Sequence, residues 1–595
     1  MRGSTGQQLG GCSVRFMPQS SALPARVTMV QAAREAGWKV TAPRRAFLRD
    51  LAAACSGWGG PPTVAVLAPP GGTPISGIIS RARPRARISL LDATVEPSAL
   101  HTAMAAAGPF DVIVDASRRG ATRADLFRRT FYHLRPGGSF LVWNVGLGPR
   151  AGSILRLVLR LAEVRARPSG RLRGVAAQDE AALARSVQRT QIESRHLVVT
   201  CRATALSKLS EEETDAVLEV RGPSTGRVLH RLEPVRFASR CRVTDVPPVD
   251  VASSPRVYNR AEHFDVPAMS LREYRDAVCL PGQVAVSGNL ILPDTFRHSR
   301  RVRMVNQYTH DIAHSFASPK QRTEDVPRLD GAYFFLDSEF RGHYGHAMTE
   351  QLSRLWAWPR AKRAEPGLRA LMMVNRWGPE LRDFERALYG AAGIAPDDLV
   401  LADGPVRVER LLAATPMFSQ PQYVHPDLVH TYTTVSRALA EQAPKRRYPR
   451  RIFCARRGNH RACRNPEEVE ALFARFGFDV VYPERFTLPE QARMFREAEV
   501  IAGYAGSAMV SLCLTESAKH VILVSSTSYT AKNEYLIGSV LGHRIDIVWC
   551  AAETPMPTDR HSKRAFVSAF TMDTEREGRQ LADILSSLTM SEIGA

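Results

Sequence analysis

Short apolar runs, bounded by turn residues and separated by helix-length stretches, recur along almost the whole chain. This alternation restricts the fold more than any other feature. In the first half the runs are Val64–Ala68, Ile88–Leu91, Phe110–Asp115 and Ser139–Asn144, with a helical pattern over Arg123–Leu134. In the second half they are Tyr333–Leu336, Leu371–Val374, Arg410–Thr415, Ile452–Ala455, Asp479–Val481, Val500–Ala502, Val521–Val524 and Ile545–Val548. Continuous apolar runs of this length suit strands buried on both faces, and strands joined through helices pair in parallel. The pattern predicts an α/β protein containing several parallel sheets.

With 595 residues there is room for three or four such units. Turn-rich and proline-rich stretches suggest the divisions. Residues 1–60 read as a flexible N-terminal segment with a short helix near Ala46–Ala54, and 61–205 as a first α/β domain. Residues 206–255 read as a β-rich connector with a hairpin at Gly222-Pro223-Ser224-Thr225-Gly226, followed by α/β subdomains at 256–440 and 441–595. The amphipathic segment Ile154–Val164, with Arg156 and Arg160 one turn apart, could pack on a sheet or rest on an anionic membrane.

The net charge is +21, and with only 8 Lys, 72 of the 80 basic residues are Arg. They are spread along the chain, which fits a GC-rich genome as well as an anionic partner. No basic stripe is interleaved with aromatics, so a specific nucleic-acid partner is not expected. The nine cysteines include no C-x-C or C-x-x-C pair, which argues against a zinc finger or disulfide framework. No signal peptide or membrane span is visible. The expectation is a cytoplasmic protein whose membrane contact, if any, is peripheral at the inner face.

Two stretches carry chemistry. In Arg341–Trp356, read as a helix at about 100° per residue, His343, His346, Glu350 and Arg354 fall within an arc of about 80°. Met348, Leu352, Leu355 and Trp356 fall opposite, where a core would lie. Imidazoles beside a carboxylate and a guanidinium suit proton transfer next to an anionic group. A solvated face with incidental histidines is the bland alternative. A metal site is another, although no fourth ligand or H-E-x-x-H is evident.

Further on, the strand Ile452–Ala455 empties into Arg456 and Arg457, and Val500–Ala502 runs into Gly503-Tyr504-Ala505-Gly506-Ser507 before a helix. Arginine forks and a helix N-terminus at the carboxyl end of parallel strands suit a diphosphate. Asn465-Pro466 and the capping box Thr487-Leu488-Pro489-Glu490 mark two helix starts.

The ordered motifs His343-Tyr344-Gly345-His346 through Arg354-Leu355, RIFCARR at 451–457, RNPEEVE at 464–470, FDVVYPE at 478–484, LPEQ at 488–491 and AGYAGSAM at 502–509 resemble family 61 glycosyltransferases. That family includes enzymes of the capsular-polysaccharide-biosynthesis type. The resemblance covers about residues 255–560 and implies a GT-B pair of Rossmann-like domains with the site in the cleft between them. It implies inverting transfer of a sugar from a nucleotide-sugar donor to a glycan acceptor hydroxyl, in surface-polysaccharide or cell-wall glycan synthesis. On that reading His346 is the base, with Glu350 and His343 beside it. Arg456, Arg457, Gly503, Tyr504, Gly506 and Ser507 hold the donor, with Glu484 near its ribose. Glu490 could share that contact or serve as a cap. Metal dependence stays open, since no D-x-D lies near the site. Two positions depart from the family: Ala347 replaces a common Trp, and Tyr504-Ala505-Gly506-Ser507 lacks the histidine of the usual H-G-A-G turn.

Residues 62–145 resemble a class I S-adenosylmethionine-dependent methyltransferase, through LLDAT at 90–94, FDVIVDAS at 110–117 and LFRRTFYHLRPGGSFLVWN at 126–144. The resemblance implies Asp92 and Asp115 as cofactor contacts. The cofactor loop, however, reads Ala68-Pro69-Pro70-Gly71-Gly72-Thr73, and its prolines remove N–H donors. A degenerate docking domain is the leading expectation. The alternatives are a working methyltransferase acting on glycans, alone or in a bifunctional enzyme, and a non-catalytic glycan- or nucleotide-binding scaffold.

Overall fold

The structure is a computed structural model that describes residues 6–9, 12–17, 27–117, 122–145, 152–166, 174–193, 195–249, 251–297, 303–304, 306–321, 325–375, 378–458 and 460–593. Three large sheets organise them. In the first, Arg87–Asp92, Thr63–Ala68, Phe110–Asp115 and Leu134–Trp143 lie side by side in parallel, in that order. His196–Cys201 then slots in antiparallel between Leu134–Trp143 and the outer strand Val187–Ile192. The hairpin Gly6–Leu9 and Cys12–Phe16 closes the other edge.

Much of the N-terminal segment 1–60, expected to be flexible, is built into the first domain. Its first 26 residues lie largely outside the described ones. Helices Met29–Glu35 and Ala42–Ala54 bury Met29, Ala32, Phe47, Leu48 and Leu51 beneath the first sheet, against Val64, Val66 and Ile78. The helical spacing of Phe47, Leu48 and Leu51 makes the apolar stripe that holds them there.

The second sheet has eleven strands. Its parallel part comprises Val406–Ala414, Arg328–Phe335, Arg369–Met373 and Leu399–Ala402. Met269–Leu280 extends it antiparallel from Val406–Ala414. The third sheet is wholly parallel, in the order Asp479–Val481, Arg451–Cys454, Val500–Tyr504, His520–Ser526, Arg544–Cys550 and Arg242–Val246. Every apolar run expected to be a strand is one.

The expected connector 206–255 is shared between these sheets. Leu206–Lys208 and Gly226–Leu232 are strands of the second, and Arg242–Val246 is the edge of the third. Nor is there a hairpin at Gly222–Gly226. Glu211–Arg221 is a helix, started by a Ser210/Glu213 capping box with three glutamates in its first turn and stopped at Gly222 (φ +76°). Reciprocal capping satisfies two otherwise orphaned N–H groups, and the glutamates favour the positive end of the helix dipole.

Alternate residues of Arg328–Phe335 feed two cores. Phe334 and Leu336 pack with the histidine segment and the third sheet, whereas Tyr333 and Phe335 pack toward the first domain. A strand covered on both faces explains why that run is continuously apolar. One core therefore joins Leu352 and Leu355 to Ile452, Met509 and Leu523, so packing sets the cleft between the two C-terminal subdomains. The segment Ile154–Val164 lies in helix Ser153–Ala166, which buries Leu157, Val158 and Leu161 in the core shared with the first sheet.

Candidate active site

The histidine segment is not a regular helix. It opens as an α turn at Tyr344–His346, widens into a π turn over Ala347–Gln351 and tightens to 3₁₀ over Leu352–Arg354. Widened turns of this kind recur at functional sites. Met348, Leu352 and Leu355 are buried as the periodicity demands. Arg354 is not in the cleft. It is 2% exposed, donates to the Ala414 carbonyl (2.8 Å) and pairs with Asp294 at 3.5 Å. The extra winding turns it off the face shared by His346 and Glu350.

His346 Nδ1 lies 2.8 Å from Glu350 Oε1, and the same oxygen accepts from Arg297 Nε at 2.8 Å. The His346 ring stacks on Phe340 (centroids 4.4 Å apart, 14° between planes), and the Arg297 guanidinium sits 4.9 Å from that phenyl centroid. Burial pushes the Glu350 carboxyl upward, but His346 and Arg297 more than offset this and hold it below the usual carboxylate range. An ionised Glu350 makes Nδ1–H the donor and leaves His346 Nε2 as the proton acceptor. Glu350 Oε2 is buried without a hydrogen-bond partner. His343 is lowered to about 4 by burial first and by His346 next, with Arg461 acting in the same direction. Among the described residues, no three His, Cys, Asp or Glu side chains gather as metal ligands, so the helix-spaced ligand set is not realised.

Across the cleft stands the third sheet. Chain order along it reverses at Arg451–Cys454 and Val500–Tyr504, which makes the crevice beyond their carboxyl ends the topological switch point where open α/β sheets take ligands. Gly506 lies just past the carboxyl end of Val500–Tyr504, has φ +140° and donates its N–H to Glu534 at 2.8 Å. A Cβ there would lie 2.9 Å from Arg456 Nη1 and 3.0 Å from Arg461 Nη2, so two guanidiniums converge on it. Arg456 is lowered to about 10, by burial and then by Arg461. Arg461 lies over the rings of Tyr529 and Phe566 at 5.1 and 5.2 Å, and its Nε is buried without a partner. A Cβ on Gly345 would stand 3.3 Å from Ser507 Oγ and 3.4 Å from the His343 ring, so the histidine turn abuts the glycine turn. The Tyr344 hydroxyl ties the two sides further, 2.7 Å from Ser511 Oγ.

Several expected residues serve elsewhere. Arg457 is exposed and donates to the Tyr482 hydroxyl (2.6 Å), with Glu467 and Glu470 at 3.7 and 3.9 Å, turned away from Gly506. Gly503 is a strand residue whose Cβ would strike Cys454 and Met509 at 2.8 Å, so it permits packing, not ligand approach. Tyr504 is 2% exposed and packs between Phe453 and Phe570 under Arg456. Ser507 begins a 3₁₀ helix at the cleft, not an α-helix. Glu484 is exposed at the turn Pro483–Arg485. Glu490 caps its helix through Thr487 and pairs with Arg446 at 2.8 Å, the structural alternative. Asp115 is buried against Arg123 (3.4 Å), and one Asp92 oxygen takes both donors of Thr94. Three residues of the site lie outside the sequence motifs. Arg461 stands close behind the arginine pair in sequence, whereas nothing local marks Arg297 or Glu534.

Residues 344–522 match the family model of glycosyltransferase 61, from inside the histidine turn to the strand His520–Ser526. The matched residues lie in the C-terminal half of the chain. The match thus spans both walls of the cleft. Among solved structures, the chain is similar to the MycE methyltransferase of the mycinamycin pathway, in complex with Mg, SAH and mycinamycin VI. That pair shares 14% identity over 29% of this chain and 54% of that one, at a TM-score of 0.22. It is also similar to the dodecameric iron-containing glycosyltransferase TibC from enterotoxigenic E. coli H10407 (14% identity, 46% of this chain, 78% of that one, TM-score 0.21). The heptosyltransferase TibC in complex with ADP-D-beta-D-heptose gives 12% identity over 44% and 77%, at 0.20. The chain spans about half the length of the methyltransferase. No curated protein matches it in sequence.

Proposed function

We propose that this protein transfers a sugar, with inversion, from a nucleoside-diphosphate sugar to a glycan hydroxyl in surface-polysaccharide or cell-wall glycan synthesis. The observation that carries the reading is the apposition of the His346–Glu350 pair to the Gly506 turn, on which Arg456 and Arg461 converge. Inverting transfer needs a base for the acceptor proton and positive charge for the departing diphosphate. His346 Nε2 takes the proton. Glu350 orients the ring through Nδ1 and stabilises the imidazolium that forms, while Arg297 fixes the carboxylate. Arg461 and Arg456 hold the diphosphate, and Arg461 replaces Arg457 in that role.

The N-terminal domain is read as a docking unit. Its cofactor loop closes on itself through Gly72 N–H to the Pro69 carbonyl (2.8 Å), contains two prolines, and faces an Asp115 already committed to Arg123. These residues do not fit S-adenosylmethionine.

The test is a thermal-shift and calorimetry panel of nucleoside diphosphates, nucleotide sugars and S-adenosylmethionine against wild type and Arg461→Ala. A ligand at 100 times its Kd should stabilise by about 2.7 kcal/mol. Binding of one nucleotide sugar to wild type but not to Arg461→Ala supports the assignment and names the donor. Binding of S-adenosylmethionine alone, or of no nucleotide, refutes it.

A further inference from the structure

A second cleft, of about 710 Å³, lies away from the transfer site, between the first domain and the hairpin formed by Thr309–Ala313 and Phe316–Pro319. Its size falls within the range of small-molecule sites, which favour such junctions between domains. The floor is apolar and aromatic. Tyr132 and Phe316 (centroids 5.4 Å apart) are 3% and 2% exposed, with Leu183 and Ile312 beside them. The Tyr132 hydroxyl is buried beside Ser186, whose own hydroxyl donates to the Ala182 carbonyl at 2.8 Å.

The charges on the walls are unequal. Each carboxylate in the lining has its own arginine: Asp125 pairs with Arg128 at 3.0 Å, Asp179 with Arg303 at 3.4 Å, and Glu180 with Arg160. Arg129 also lines the cleft, and among the described residues it has no ion pair or hydrogen bond. The helix Pro97–Ala107 presents its N-terminal end to the same space at Pro97 and Ser98, adding a second positive element. Among the described residues the charges in and around the cleft are thus paired except for the Arg129 guanidinium, over an aromatic floor.

We propose that this cleft binds an acidic saccharide, with Arg129 meeting its carboxylate or phosphate and Tyr132 and Phe316 forming the floor beneath its ring. The choice of a saccharide rests on the glycosyltransferase reading, whereas the need for an anionic group rests on the cleft alone. A site here recognises a part of a glycan that does not react.

The experiment is calorimetry on the full chain in about 0.15 M salt, which screens the general attraction of a basic protein for anions. The probes are tetragalacturonic acid, glucose 6-phosphate and neutral maltotetraose, against wild type, Arg129→Ala and Arg461→Ala. At least one acidic probe should bind wild type, and its affinity should fall about tenfold or more in Arg129→Ala. Arg461→Ala should leave it unchanged, and maltotetraose should bind at least about tenfold more weakly. Whether the uronate or the phosphate binds better identifies the anionic group. Equal binding by Arg129→Ala, equal affinity for maltotetraose, or no heat from either acidic probe overturns the proposal. Nucleoside-diphosphate binding measured on the same Arg129→Ala protein reports separately on the donor site, so failure of one reading does not pass for failure of the other.

Discussion

Gly506→Ala is the substitution that tests the donor turn most directly. Its backbone, at φ +140° and ψ −156°, occupies a region essentially restricted to glycine, so the alanine should destabilise the fold by about 1–3 kcal/mol. The new Cβ would also stand 2.9 Å from Arg456 Nη1 and 3.0 Å from Arg461 Nη2. Guanidinium tips can move, but Arg456 is pinned by its bonds to the Ala505 and Arg461 carbonyls. Relief of the contact therefore draws one or both arginines off the diphosphate position. A hydrogen bond to a charged group is worth about 1.5–3 kcal/mol, so losing one should weaken nucleoside-diphosphate binding roughly 10- to 150-fold. Calorimetry with UDP and GDP reads this, and urea unfolding reads the backbone cost separately. Gly458→Ala is the control, because Gly458 has φ +134° with nothing within 4 Å of its would-be Cβ. It should lose stability and keep nucleotide affinity. If Gly506→Ala binds nucleotide within about twofold of wild type, or Gly458→Ala weakens binding equally, the turn is not the diphosphate cradle.

Glu350→Gln should lower kcat by about 10²- to 10⁴-fold with little change in donor KM, because it removes the carboxylate that fixes the base. Steady-state kinetics with the nucleotide sugar identified by the binding panel checks this. Arg457→Ala should leave nucleotide affinity within about twofold, since its side chain turns to Tyr482; a larger loss by calorimetry would return it to the site. Arg354→Ala should cost up to about 3–5 kcal/mol in urea unfolding, because it leaves buried Asp294 with only the Tyr274 hydroxyl and the charge of Arg272 to support it. His543, fully buried, is lowered from 6.5 to about 4 by burial, so between those values the unfolded chain binds a proton that the folded one refuses. Its contribution is present above pH 6.5 and lost as pH falls toward 4. Urea midpoints across that range should drop with acid, and His543→Gln should flatten the slope.

The strands were legible because burial on both faces forces continuous apolar runs, whichever sheet they join. The helix starts were legible for a local reason too, as the Thr487/Glu490 box shows. The Ser210/Glu213 box carries the same signal and was masked by the glycine-rich turn that follows it. His346 and Glu350 could be paired from sequence because they lie four residues apart on one segment. Arg354, another four residues on, could not be placed, because the π turn changes the angular step between them and no residue pattern announces it.

Composition and periodicity by themselves determined that this is an α/β chain with buried parallel strands, and the spacing of its motifs marked where chemistry is carried. Tertiary structure decided which residues share the cleft. Arg297, Glu350 and His346 meet across 53 residues of chain, and Arg456, Arg461 and Gly506 across 50. It also decided which arginines are spent on structure, such as Arg123, Arg354 and Arg457. The physical reason is that apolar burial and capping are local or periodic properties that a sequence records directly. Where a guanidinium finds its partner depends on how sheets and helices pack, and 72 arginines distributed along the chain look alike until they do.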